Sequence, residues 1–399
     1  MMTRRFFSTP AVELPDLAAT DSASEQRPWR LGLIGAGMMG REHLRVAALL
    51  GRAEICGIYD PHAGSVGAAQ ADCLHCFGAQ VPVYSSLSAA VGDDRADAYI
   101  VATPNYTHLE VLRPLLGCGK PILLEKPMAT TLSDAVQVVD LARHHPGVIQ
   151  LGMQYRFKSQ YVEAFRAVKE QCALGRVHTV ALAEYRPPFL DKVGQWNKFS
   201  RCSGGTLVEK CCHYFDLMNL MVESTPVSVF ARGGQAVNFL DFEQNGRVSD
   251  IDDHAFVIVT YANGIHASFT LNMFCQELYE ELVVVGEKGR LVACEHASFR
   301  PDINSSATLM VEVPGHEAYR PVDVTYPRTI EQSGHSGASF FAHRAFIQQL
   351  EGEAADSATP EQGLWSLILA SAAQASLQTG TMIEIEGFCQ RQGLQQPGS

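Results

Sequence analysis

The sequence predicts a two-domain chain: a doubly wound α/β domain with a parallel sheet, then an α+β domain with one broad, mostly antiparallel sheet. Three observations carry this. A glycine-punctuated turn at Gly35–Gly40 separates an apolar run from a helical pattern. Apolar runs and helical spacings then alternate to about Val148, as βαβ units do. From Val177 onward, period-2 alternation and hairpin signals take over.

The first apolar run, Arg30–Ile34, leads into Gly35-Ala36-Gly37-Met38-Met39-Gly40, a G-x-G-x-x-G spacing. Arg41 to Gly51 then has helical periodicity, with Leu44, Ala47 and Leu50 near one face. In this setting Gly35 permits the tight turn, Gly37 lets a pyrophosphate approach the backbone, and Gly40 lets helix and strand pack closely. The helix start supplies free N–H groups and positive partial charge to the phosphates. A second apolar run, Ala53–Tyr59, ends on Asp60, where a carboxylate accepts hydrogen bonds from ribose hydroxyls and repels a 2′-phosphate. The expected cofactor is therefore NAD rather than NADP.

Two further buried strands follow. Asp97–Ala102 runs into Thr103-Pro104-Asn105-Tyr106-Thr107-His108, and Pro121–Leu124 ends on Glu125-Lys126-Pro127. Ligands of such sheets sit outside the carboxyl ends of the strands, where all these segments fall. In the second half, strands are expected near 178–186, 227–232, 254–261, 265–274, 281–285 and 290–294, as an antiparallel meander. Asn263-Gly264 and Glu287-Lys288-Gly289 provide turns. A short helix is expected over 161–169, and late helices over 338–350 and 359–380, closing back on the first domain.

Composition limits the function. The chain has 399 residues, 46% hydrophobic and 19% charged, with a net charge of −12. That balance argues against nucleic acid and anionic membranes as partners. No apolar run has the length of a membrane span, and no secretory h-region follows Arg4-Arg5. Eleven cysteines, an odd number, suggest reduced thiols and a cytoplasmic setting. Cys73-Leu74-His75-Cys76 has no second C-x-x-C at ribbon spacing, so no metal site is expected.

The chemical constellation lies in Ser203–Asp216. A glycine pair, Gly204-Gly205, enters a predicted helix on which Glu209, His213 and Asp216 share one face. A carboxylate that orients an imidazole is a common way to build a general base, and equally a common structural pair.

Taken together, these motifs resemble the glucose–fructose oxidoreductase / inositol dehydrogenase family (Gfo/Idh/MocA). The resemblance rests on Gly35–Gly40, Asp60, Ala102–His108, Glu125-Lys126-Pro127, and Gly204-Gly205 with Glu209 and His213, and it covers residues 29–385. It implies a Rossmann domain over 29–152 and a substrate and oligomerisation domain over 153–385, whose open sheet face builds homodimers or homotetramers. Residues 1–28 and 386–399 are left as tails. The implied chemistry is NAD(P)-dependent redox on a sugar, cyclitol or related polyol.

By position, the resemblance makes Lys126 the group that holds the reacting hydroxyl and His213 its proton acceptor, with a cis peptide before Pro127. The family has Asp where this chain has Glu209, which either orients the site or reaches the substrate. The cofactor set is Gly35, Gly37, Met38, Met39, Gly40, Asp60, Thr103, Pro104, Asn105, His108, Glu125 and Lys126. The substrate set is Tyr155, Arg156, Arg186, Trp196, Lys198, His213 and His335. The loop from Arg186 to Arg201 is cationic and suits an anionic sugar substituent. Lys210, about 100° round a helix from Glu209, reads as solvated or structural. Three functions compete: a dehydrogenase releasing NADH, an NAD-dependent glycosidase with no net NADH, and a non-enzymatic metabolite sensor.

Overall fold

The computed structural model describes residues 27–298, 305–315 and 320–394. Most of the expected tails, residues 1–26 and 395–399, lie outside the described residues.

The first domain follows the βα alternation read from sequence. Its strands are β1 (Trp29–Ile34), β2 (Ala53–Tyr59), β3 (Ala98–Val101), β4 (Ile122–Leu124) and β5 (Ile149–Leu151). Its helices are α1 (Met38–Leu50), α2 (Ala63–Phe77), α3 (Leu87–Val91), α4 (His108–Leu116) and α5 (Leu132–His144). The sheet order is β2-β1-β3-β4-β5, all parallel. Strands β3 and β4 are buried on both faces, which is why they read as unbroken apolar runs; β5 is buried too but carries Gln150. The order reverses between β1 and β3, so the ligand crevice opens beyond Ile34 and Val101.

The second domain contains α6 (Ser159–Phe165), β6 (Val177–Tyr185), α7 (Ser200–Ser203), α8 (Thr206–Glu209), α9 (Cys212–Val222) and β7 (Pro226–Gly234). Then come β8 (Glu243–Gln244), β9 (Arg247–Val248), β10 (His254–Tyr261), β11 (His266–Asn272), β12 (Leu278–Gly286), β13 (Gly289–Ala297), β14 (Ser306–Glu312) and β15 (Val322–Asp323). The chain ends in α10 (Arg328–Glu331), α11 (Ala338–Leu350), α12 (Pro360–Thr379), β16 (Ile383–Glu384) and α13 (Ile385–Arg391).

Among the described residues the large sheet has the order β15-β14-β13-β12-β6-β11-β10-β7-β16. The expected meander is therefore interrupted. The consecutive strands β11 and β12 do not pair, because β6 lies between them, parallel to β11 and antiparallel to β12. Helices α9 and α12 cover one face. On the other face Phe256 and Ile258 of β10 are 60% and 54% exposed.

The two late helices tie the domains together. Phe346 and Ile347 of α11 join Leu31, Leu33, Leu44 and Ala47 in the core of the first domain. Helix α12 starts with a complete capping box between Thr359 and Gln362, has Pro360 in its first turn, and stops at the left-handed Gly380. Helix α13 corrects the tail drawn from residue 386: Ile385, Phe388 and Cys389 are buried, so the fold continues past that boundary.

The glycine turn is tight. A Cβ on Gly40 would lie 2.0 Å from the Gly35 carbonyl oxygen. Gly40→Ala is expected to cost about 1–3 kcal/mol through overpacking, read as a lower midpoint in urea unfolding.

Candidate active site

The cradle residues are placed as a dinucleotide needs them. Gly35 has φ +93°, and a Cβ there would strike the Ala102 carbonyl. Gly37 caps α1 without any side-chain hydrogen bond, and a Cβ on it would meet nothing within 4 Å. The helix begins at an exposed Met38 and a half-buried Met39, and its first-turn N–H groups have no partner within the helix. Asp60 follows β2, its carboxylate accepting from Ala36 N–H at 2.8 Å and His62 N–H at 2.7 Å. These residues fit a nicotinamide dinucleotide: Gly37 would leave room for a pyrophosphate, and Asp60 would stand beside a ribose.

The ends of β3 and β4 are braced against each other. His108 is fully buried; one ring nitrogen faces the Pro127 carbonyl at 2.9 Å and the other the Thr103 carbonyl at 3.0 Å. The ring sits between the two loops, its single N–H in the neutral form donating to one carbonyl or the other. Thr103 also takes the Thr107 hydroxyl at 2.9 Å, and Pro104 starts the short turn after β3. Asn105, 5% exposed, leaves its amide Nδ2 without a partner. Glu125 is buried, paired with His43 Nε2 at 2.9 Å and with its neighbour's amide, Lys126 N–H, at 3.1 Å.

The Lys126–Pro127 peptide is cis. Lys126 Nζ donates to the Glu209 backbone carbonyl at 2.8 Å. The predicted single helix through Glu209 and His213 is broken: α8 ends at Glu209 and α9 starts at Cys212. The Glu209 side chain turns to Lys192 Nζ at 2.8 Å and leaves Oε2 buried and unpaired. The nearby Lys192 and Lys126 ammoniums overcome the cost of burial and hold its carboxyl below the usual range. No hydrogen bond joins Glu209 to His213 among the described residues. Instead His213 lies flat on the Tyr155 ring, centroids 3.9 Å apart and planes 5° apart. Burial, reinforced by Lys126 and Lys210, pushes its pKa well below the ordinary histidine value, so the imidazole is neutral.

Several expected substrate contacts have other work. Arg156 grips Asp216 of α9 through two bonds of 2.7 and 2.6 Å and reaches Gln362 at 3.0 Å. Arg186 sits 3.7 Å from Glu184. Lys198 pairs with Asp191 at 2.7 Å and lies over Phe239 and Phe242. Trp196 carries the Lys192 ammonium 4.4 Å from its ring centre and meets Tyr106 edge-on. Within the loop Asp191 answers Lys198, while Glu184 and Glu209 answer Arg186 and Lys192 from outside it. His335 bonds Glu42 at 2.7 Å and stays near the edge of Tyr155, at 6.1 Å. Lys210, read as solvated or structural, is buried, 2.9 Å from Glu184 and 2.5 Å from the Tyr155 hydroxyl. Gln154, absent from the expected set, is 3% exposed beyond β5 with both amide atoms unpaired. Its position at a strand end was the available signal.

A glycine cradle on a parallel sheet, with a lysine and a neutral histidine at the facing cleft, defines a nicotinamide-dependent oxidoreductase of the sugar and polyol dehydrogenase type. The chain belongs to the Gfo/Idh/MocA family: the NAD-binding Rossmann fold of that oxidoreductase family matches residues 29–153, and its C-terminal alpha/beta domain matches residues 169–385. It is 28% identical to the 1,5-anhydro-D-fructose reductase of Ensifer adhaerens, over 90% of this chain and 98% of that protein. It is 22% identical to the myo-inositol 2-dehydrogenase of Thermotoga maritima, over 90% and 98%. The crystal structure of the WlbA dehydrogenase from Bordetella pertussis, in complex with NADH and UDP-GlcNAcA, superposes with a TM-score of 0.69 at 23% identity, over 90% of this chain and 99% of that one. Among the described residues no helix is long and apolar enough to cross a membrane.

Two outcomes are expected. Gly37→Ala should fold with an unchanged melting temperature yet bind NAD at least about tenfold more weakly in calorimetry, because the added methyl occupies the space of the phosphates. Burial also keeps His108 and His343 below their ordinary pKa, as it does His213. The unfolded chain takes protons on these three below about pH 6.5, and the folded chain does not. Each therefore lowers stability as the pH falls from that point toward its folded-state pKa, read as urea midpoints that fall from pH 7 to pH 5.

Proposed function

We propose that the protein oxidises a carbinol of a neutral polyol, cyclitol or sugar, with NAD as the acceptor. The observation that carries this is the grouping of three facing functions at the carboxyl end of the sheet. They are the Lys126 ammonium, the neutral His213, and the ionised Glu209 with one free oxygen.

Lys126 spends one of its three protons on the Glu209 carbonyl, and the other two are available to a substrate oxygen. That contact orients the hydroxyl and stabilises negative charge as it develops. His213, uncharged near neutral pH, takes the hydroxyl proton. Glu209 Oε2 accepts from a neighbouring hydroxyl, a role suited to a neutral polyol and unfavourable to an anionic one. The nicotinamide ring, when bound, supplies the site that receives hydride. Asp60 supports NAD over NADP, because its carboxylate is already fixed by two backbone N–H groups where a 2′-phosphate would lie. The exposed apolar face around Phe256 and Ile258 suits a second copy of the chain.

The test is a panel of inositols, sugars and glycosides scored for NADH absorbance and for aglycon release. NADH growth with a neutral polyol is expected, with NAD preferred to NADP. Lys126→Ala and His213→Ala should each lower kcat by about 10²–10⁴-fold. Aglycon release without NADH would replace this reading with the redox-neutral glycosidase, and normal turnover in both variants would overturn the residue roles.

A further inference from the structure

With Glu209 turned to Lys192, something else must hold the catalytic imidazole. Tyr155 is the group in contact with its face. Tyr155 is 4% exposed and fixed on several sides. Its hydroxyl takes a hydrogen bond from Lys210 Nζ at 2.5 Å. The Lys158 and Lys210 ammoniums lie 4.2 and 4.6 Å from its ring centre, and Tyr214 packs edge-on at 5.7 Å. A ring gripped in this way has no face left for a sugar, although its place in the sequence suggested substrate contact.

We propose that Tyr155, gripped by Lys210 and Lys158, is a positioning residue that fixes the plane of the His213 imidazole in place of a carboxylate. The inference rests on the dehydrogenase reading for what His213 does, though not for how it is held. A carboxylate bonded to an imidazole orients it but also stabilises the protonated form. A stacked phenol orients without that attraction. The groups facing His213 are cations or can become so: Lys126 after β4, Lys158 before α6, Lys210 between α8 and α9, and His335 before α11. The carboxylates Glu184 and Glu280 are engaged with those lysines, Glu184 with Lys210 and Glu280 with Lys158. The base is thereby oriented while kept neutral, and a proton it accepts is released readily.

The experiment uses the full chain carrying Tyr155→Phe, Tyr155→Leu or Lys210→Met, with two readouts. The first is the His213 imidazole titration followed by NMR in cofactor-free protein. The second is the pH profile of kcat and KM with whichever polyol the panel selects. Tyr155→Phe keeps the stack and should hold kcat within about tenfold, the worth of one hydrogen bond. Tyr155→Leu should lower kcat by about a hundredfold, through misplacement of the base, while KM moves far less. In Tyr155→Leu and Lys210→Met the His213 titration should move toward the ordinary histidine range, through added water and a lost cation respectively. A wild-type kcat in Tyr155→Leu, or a raised KM with kcat intact, would overturn the proposal in favour of no role or direct substrate contact. An unmoved titration in Lys210→Met would do the same, and that variant decides the matter if Tyr155→Leu does not fold. Absence of turnover on every polyol would remove the dehydrogenase reading and leave the NMR result to judge this one.

Discussion

Three glutamates stand side by side inside the second domain, and the arrangement of the site depends on how they are neutralised. Glu184 of β6, Glu280 of β12 and Glu295 of β13 are register partners across adjacent strands, each at most 1% exposed. Like charges directly opposite repel, and burying them is expensive without partners. Lys158 answers two of them at 2.7 and 2.5 Å, and Lys210 and Arg186 answer the third. Three carboxylates meet three cations, so the cluster is neutral only when complete. Lys158 and Lys210 flank Tyr155, and Tyr155 carries His213. The sheet thus reaches the chemistry through a buried electrostatic frame rather than through apolar packing alone.

Much of the architecture was legible because local rules and tertiary structure agree. Strand 254–261 and helix 338–350 fall where alternation and helical spacing place them, and the glycine turn behaves as its spacing requires. What was illegible depends on partners distant in sequence. Nothing local announces that β6 separates β11 from β12, since hairpin signals describe only neighbours. Lys158 and Lys210 look like surface residues by type, and their partners Glu280 and Glu184 are 122 and 26 residues away in the chain. The Glu209–His213 spacing suggested a dyad only if one helix ran through both. The break at Lys210-Cys211 sends the carboxylate to Lys192 instead. Arg156 has a distant partner of the same kind: Asp216 lies 60 residues on and holds its guanidinium through two hydrogen bonds.

The cleft is rigid where it must be and open where a ligand belongs. His108 pins the ends of β3 and β4 to each other, and the Glu125–His43 pair extends through a 2.7 Å contact to His343 of α11. Polar atoms left without partners occur on Asn105, Gln154, Glu209 and His213, residues of the strand ends and of the helix pair that faces them. A buried donor or acceptor costs stability when unmade. A ligand bound at this cleft would complete them.

The reach of α11 into the first domain has a consequence for biosynthesis. Phe346 and Ile347 complete a core whose other members mostly precede residue 124. A ribosome adding about 5–20 residues per second releases the first domain's sheet many seconds before that plug exists. Until then the nascent chain presents an apolar socket against α1, suited to a chaperone and exposed to wrong partners. The nucleotide half is therefore a module in architecture but not in assembly.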